Sequence, residues 1–187
     1  MRVGLFSFFL AVLVNYSSGS ALRLLPAFIA LFIVFLLVAI GVVFDVLGTS
    51  VTAAEVPPLN AMAAKKVSGA RQALWLVRNA DRVANFANDV VGDVAGAVSG
   101  AAAATVAIKL SALFHGGTLA QQLISLVMIG LVAGLTVGGK AAGKTFALEH
   151  ATQVVYLAGR VIAGAEQITG RSFTGARGSN SSRRRTT

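Results

Sequence analysis

The sequence predicts an all-α protein, a polytopic membrane helix bundle with about four transmembrane helices and short amphipathic helices at the membrane surface. Three observations carry this expectation. Hydrophobic residues make up 56% of the 187 residues and charged residues only 12%, whereas a soluble domain carries about 25% charge. The mean hydropathy is +0.77. Uncharged runs recur at residues 3–22, 24–44 and 118–139, each long enough for a hydrocarbon core of about 30 Å. An ordinary soluble enzyme is excluded on these grounds. The absence of Cys also removes disulfides, zinc–thiolate sites and iron–sulfur clusters.

Residues 1–23 read as an extra N-terminal transmembrane helix or signal anchor. Val3–Val14 is strongly apolar and Asn15–Ser20 is small and polar. Gly19-Ser20-Ala21 would suit signal-peptide cleavage, but the basic start is very short and a second apolar run follows at once, which favours an uncleaved helix. Leu24–Phe44 is the clearest span, and Pro26 falls in its first turn, where a missing N–H is tolerated. Asp45 closes it. Residues 59–80 interleave Leu59, Met62, Val67, Leu74 and Val77 with Lys65, Lys66, Arg71 and Arg78. Opened by Pro57-Pro58 and broken at Ser68-Gly69, this segment predicts two short helices on the inner membrane surface, with Trp75 as an interfacial anchor.

Val83–Ile108 predicts the third span, interrupted only by Asp89 and Asp93. His115-Gly116-Gly117 then turns the chain into a fourth, Thr118–Gly139. Thr145–Ala163 is amphipathic again, with Glu149, Gln153 and Arg160 near one face and Leu148, Val155 and Ile162 on another. Residues 171–187 hold five Arg and no acid, a disordered basic tail. A basic tail on a membrane protein marks the cytoplasmic side or meets anionic lipid, and no nucleic-acid partner is expected. Lys and Arg concentrate in residues 55–82 and 140–187. The positive-inside rule therefore places both termini in the cytoplasm of a plasma (inner) membrane, multi-pass protein.

Gly138–Thr145 matches the phosphate-loop pattern G-x-x-x-x-G-K-[ST]. That loop works between a strand and a helix, with a carboxylate to hold Mg²⁺. Here a membrane-length apolar run precedes it and no Asp follows Lys144, so no nucleotide is expected. Two glycine ladders, Gly92/Gly96/Gly100 and Gly130/Gly134/Gly138, place small residues on one helix face, where backbones pack closely in lipid or across a homodimer. Asn85, Asp89 and Asp93 stand at i, i+4 and i+8, on the face of Gly92 and Gly96. Acids inside a span cost about 2.5–3.5 kcal/mol and face a cavity or a partner. They serve either as oxygen ligands for a hard cation or as charges at headgroup level. His115 and His150 stand alone, and no catalytic set appears, so an enzyme is not expected.

Thr52-Ala53-Ala54-Glu55, the amphipathic pair, Asn79-Ala80-Asp81-Arg82 and the small-residue helix after it together resemble the transmembrane domain of the cyclin-M/CorC magnesium transporters. The resemblance covers about residues 24–165. It implies a dimeric domain that surrounds a dehydrated Mg²⁺, with Thr52 in place of the family's Ser, Glu55 as its Glu, and Asn88, Asp89 and Asp93, with Asn85 a turn before, in the region of its second-helix amides. Gly139-Lys140-Ala141-Ala142-Gly143-Lys144 keeps the glycine and lysine spacing of the third motif, with Lys140 where the family has Glu. The regulatory CBS domains that usually follow are not in this chain, which would leave regulation to a separate subunit. Two functions are expected from this. In one, the chain transports a divalent cation or serves Mg²⁺ homeostasis, with Asp89 and Asp93 replacing the lost Glu. In the other, it is a non-transporting membrane scaffold or regulator, with Lys140 as intramembrane counter-ion of its acids.

Overall fold

A computed structural model describes residues 25–113 and 118–171, with a few positions between 4 and 16. The expected N-terminal helix (1–23) lies largely outside the described residues, as do His115 and all but the first residue of the expected basic tail. The described residues are all-helical, with no strand among them. In chain order the helices are α1 (Ala27–Ala53), α2 (Val56–Ala64), α3 (Ala70–Arg78), α4 (Ala80–Asn85), a π-helical segment (Phe86–Gly92), α5 (Asp93–Leu113), α6 (Thr118–Glu149) and α7 (Ala151–Thr169). Three stretches are long and apolar enough to cross a membrane: Ala27–Ala53, Ala80–Leu110 and Gln121–Glu149. They cover three of the four expected spans.

The chain divides into two compact units, Met1–Val46 with Asn85–Thr145, and Leu47–Ala84 with Phe146–Thr187. In the first, α1 starts at once after Pro26, whose carbonyl accepts the Ala30 N–H at 3.0 Å. The core is built of small and β-branched residues: Ala30, Val34 and Val38 of α1, Ala102, Ala103 and Val106 of α5, and Val132 of α6. Such side chains let apolar helices approach closely where lipid offers no hydrophobic drive. Gly41 faces α5, where an added Cβ would stand 3.3 Å from the Ala95 Cβ and 3.4 Å from the Gly92 carbonyl.

In the second unit, two short helices fill the amphipathic segment. Pro57-Pro58 supplies the start of α2, where N–H groups have no helical acceptor. The helix closes on Lys66 at φ +58. There the Val67 N–H reaches the Met62 carbonyl and the Lys66 N–H that of Ala63, both at 3.0 Å, a Schellman closure. Gly69, at φ +84, opens α3. Ala70, Ala73 and Leu76 form its buried stripe, while Arg71 and Arg78 point outward. On α7 the buried positions Ala151, Val155, Gly159 and Ala163 recur every four residues. A Cβ on Gly159 would lie 2.4 Å from the Gly69 carbonyl and 2.6 Å from the Ala73 nitrogen, so α3 and α7 touch backbone to backbone. Gln72 donates to Glu166 at 2.7 Å beside this crossing.

Gly138–Thr145 lies in the interior of α6, where backbone N–H groups are committed to the helix and cannot cradle a phosphate. One expectation changes here. The amphipathic stretch begins later than Thr145, because α6 runs to Glu149 before the turn at His150 starts α7.

Candidate functional site

The charges that end the three apolar stretches meet in the first unit. Asp45 is the first charge after Leu24–Phe44, Asp93 the last before residues 94–108, and Lys140 the first after residues 118–139. Lys140 Nζ donates to Asp93 Oδ1 at 3.1 Å and stands 3.8 Å from Asp45 Oδ1. One ammonium thus joins α1, α5 and α6. The two carboxylates differ in setting: the Asp93 side chain is 69% exposed, that of Asp45 only 6%. Asp45 Oδ2 is buried and takes no hydrogen bond among the described residues, and neither does Asn88 Oδ1. At the far end of the same helices, Lys109 Nζ donates to the Leu25 carbonyl. From Ala27 to Asp45 the chain is helical, about 27 Å at 1.5 Å per residue, close to the thickness of a hydrocarbon core. The two lysine contacts therefore lie near the two ends of this stretch.

Local backbone geometry separates the expected ligands. The π-helical turn at Phe86–Gly92 replaces i→i+4 with i→i+5 hydrogen bonds and shifts the register that would stack Asn85, Asp89 and Asp93 on the glycine face. Asn85, Asp89 and Asp93 are exposed, whereas Gly92 is buried. Of the two acids expected to pair with Lys140, Asp93 does so, and the second partner is Asp45 rather than Asp89.

Thr52 and Glu55 belong to the second unit. The Thr52 hydroxyl is spent on the Thr49 carbonyl of its own helix at 2.8 Å. The Glu55 N–H donates to Thr152 Oγ1 at 3.4 Å, and Glu55 lines a small pocket with Glu149, His150 and Thr152. His150 stacks on Phe146 with ring centroids 4.7 Å apart. Among the described residues no group of three or more His, Asp or Glu side chains is arranged to hold a metal.

The ladder glycines differ in what surrounds them. A Cβ on Gly92 would meet the Ala87 carbonyl at 3.3 Å and Lys140 Nζ at 3.6 Å, and one on Gly96 would meet Thr136 at 3.8 Å. At Gly100, Gly130, Gly134 and Gly138 it would meet nothing within 4 Å among the described residues. The close approach of α6 to α1 falls one residue over. Added Cβ atoms at Gly139 and Gly143 would stand 2.9 Å from Val42 Cγ2 and 2.6 Å from Val46 Cγ2.

Sequence reasoning missed Asp45, Gly139 and Gly143. The signal for Asp45 was its place as a lone acid closing an apolar run, which needs a counter-ion as much as Asp89 does. No protein-family model, no curated protein and no solved structure matches this chain.

Proposed function

We propose that this chain is a multi-pass protein of the plasma (inner) membrane, both termini cytoplasmic, that serves as a non-transporting scaffold or regulator. In this reading the Asp45–Lys140–Asp93 group is a structural clasp at the cytoplasmic edge of three spans. The observation that carries it is Lys140 Nζ between Asp93 and the buried Asp45. An ammonium beside these carboxylates repels a Mg²⁺ ion. The place of the clasp at the ends of the three apolar stretches supports the same reading, since transport sites lie near the midplane. The homodimer would seat on the open Gly130–Gly134–Gly138 face of α6.

A second reading, Mg²⁺ handling by the acids, keeps one observation in its favour: Asp45 Oδ2 and Asn88 Oδ1 are buried acceptors without donors among the described residues. Thermal melts of the purified protein across a Mg²⁺ titration separate the two. A ligand held only by the folded state adds RT ln(1 + [L]/Kd), about 2.7 kcal/mol at one hundred times Kd. The scaffold reading expects no Mg²⁺-dependent rise in Tm. A saturable rise that Asp89→Asn or Asp45→Asn removes would establish the cation reading instead.

A further inference from the structure

Among the described residues, an apolar stripe on α7 of the second unit has no partner. Leu157, Val161 and Ile168 are 57%, 72% and 89% exposed, and at 3.6 residues per turn they fall within an arc of about 40°. The opposite face of the helix, with Val155, Gly159 and Ala163, is the one packed inside the unit. Arg160, Gln153 and Gln167, all exposed, border the stripe, and Arg171 follows the helix. A buried face, an exposed apolar face and a basic border on one helix are the marks of an interfacial helix.

Charge decides which surface the stripe fits. Between residues 47 and 84 and between 146 and 171 the unit carries seven Lys and Arg (Lys65, Lys66, Arg71, Arg78, Arg82, Arg160, Arg171) and four acids (Glu55, Asp81, Glu149, Glu166), 7 − 4 = +3. Chain connectivity decides where that surface is. Two membrane-length helices enter the unit just past their charged ends, at Leu47 two residues after Asp45 and at Phe146 two residues after Lys144. We infer that α7 lies in the interface of an anionic bilayer, with Leu157, Val161 and Ile168 among the acyl chains and Arg160 and Arg171 against lipid phosphates. This rests on the reading of Ala27–Ala53 as a membrane span.

The chain has no Cys, so single cysteines can be labelled cleanly. Spin labels at Leu157→Cys, Val161→Cys, Ile168→Cys, Gln153→Cys and Gln167→Cys are read in the full chain in nanodiscs of phosphatidylcholine with phosphatidylglycerol. Oxygen accessibility should exceed nickel-chelate accessibility several-fold at 157, 161 and 168, with the order reversed at 153 and 167. Replacing phosphatidylglycerol with phosphatidylcholine, or Arg160 with Gln, should shift the immersed fraction by roughly fivefold per lost charge contact. Nickel-dominated collisions at all five positions would overturn the inference, and dipolar broadening at 161 would show a second copy of the chain on the stripe and overturn it too. A label at Phe35→Cys keeps the two readings apart. Oxygen-dominated there and nickel-dominated on the stripe means that the span stands and the interfacial helix does not; nickel-dominated at Phe35 means that the span itself is wrong.

Discussion

The two units hold helices together by opposite means. In the second unit α3 and α7 meet at Gly159, Gly69 and Ala73 with backbones in contact, and Val51, Leu59, Leu76 and Val155 close a compact apolar core around them. In the first unit only 6% of the apolar window of α6 is buried. Its contacts with α1 run through Val42 and Val46 over glycine, and its charge contact runs through Lys140. Close backbone packing marks one unit, whereas the other adds an ion pair to its core of small residues. Where helices are apolar all round, van der Waals contact discriminates poorly between neighbours and a single charged group can select the partner helix.

The largest effect should come from removing that group. Lys140→Met leaves Asp45 buried without a counter-ion and should destabilise by about 3–5 kcal/mol, read as a lowered Tm in detergent. A change below about 0.5 kcal/mol would mean that packing fixes both units alike. Next, Gly159→Ala inserts a Cβ into backbone atoms of α3 and should cost roughly 1–3 kcal/mol, with early proteolysis inside 47–84. A neutral result would remove the contrast from the other side. The smallest effect belongs to Gly134→Leu. Its Cβ meets nothing within 4 Å among the described residues, so the monomer should change by less than about 0.5 kcal/mol. A drop in Tm together with loss of a dimer on size exclusion would place a second copy on that face of α6.

Sequence made the spans legible because an uncharged run of membrane length has few alternatives in physical terms. It also marked Pro26, Pro57-Pro58 and Ser68-Gly69 as element boundaries, since proline and glycine act through local backbone geometry. Lys140 as a counter-ion was legible only through the resemblance, which sets a lysine where the family has Glu. Its partner was not. Asp45 and Asp89 are both acids near a span end, and only tertiary register selects between them. The π-helical turn at Phe86–Gly92 lies beyond periodicity altogether, since no residue pattern in that segment announces an extra residue per turn. Gly139/Gly143 is a second four-residue series on α6 beside Gly130/Gly134/Gly138, and it is the one that meets Val42 and Val46 of α1. Spacing shows that a face is smooth, but the neighbour that uses it is a property of the packed helices.

The central claim, that Lys140 is in place to neutralise Asp45, is tested most directly by a double-mutant cycle. Melts of wild type, Lys140→Met, Asp45→Asn and the double variant give the coupling energy between the two groups. If Lys140 is the counter-ion, Asp45→Asn in the Lys140→Met background should recover most of the lost stability, with a coupling of roughly 1–3 kcal/mol, and the wild-type Tm should not respond to Mg²⁺. Additive losses with no recovery, together with a Mg²⁺-dependent rise in Tm that Asp45→Asn abolishes, would contradict the clasp and make Asp45 a cation ligand.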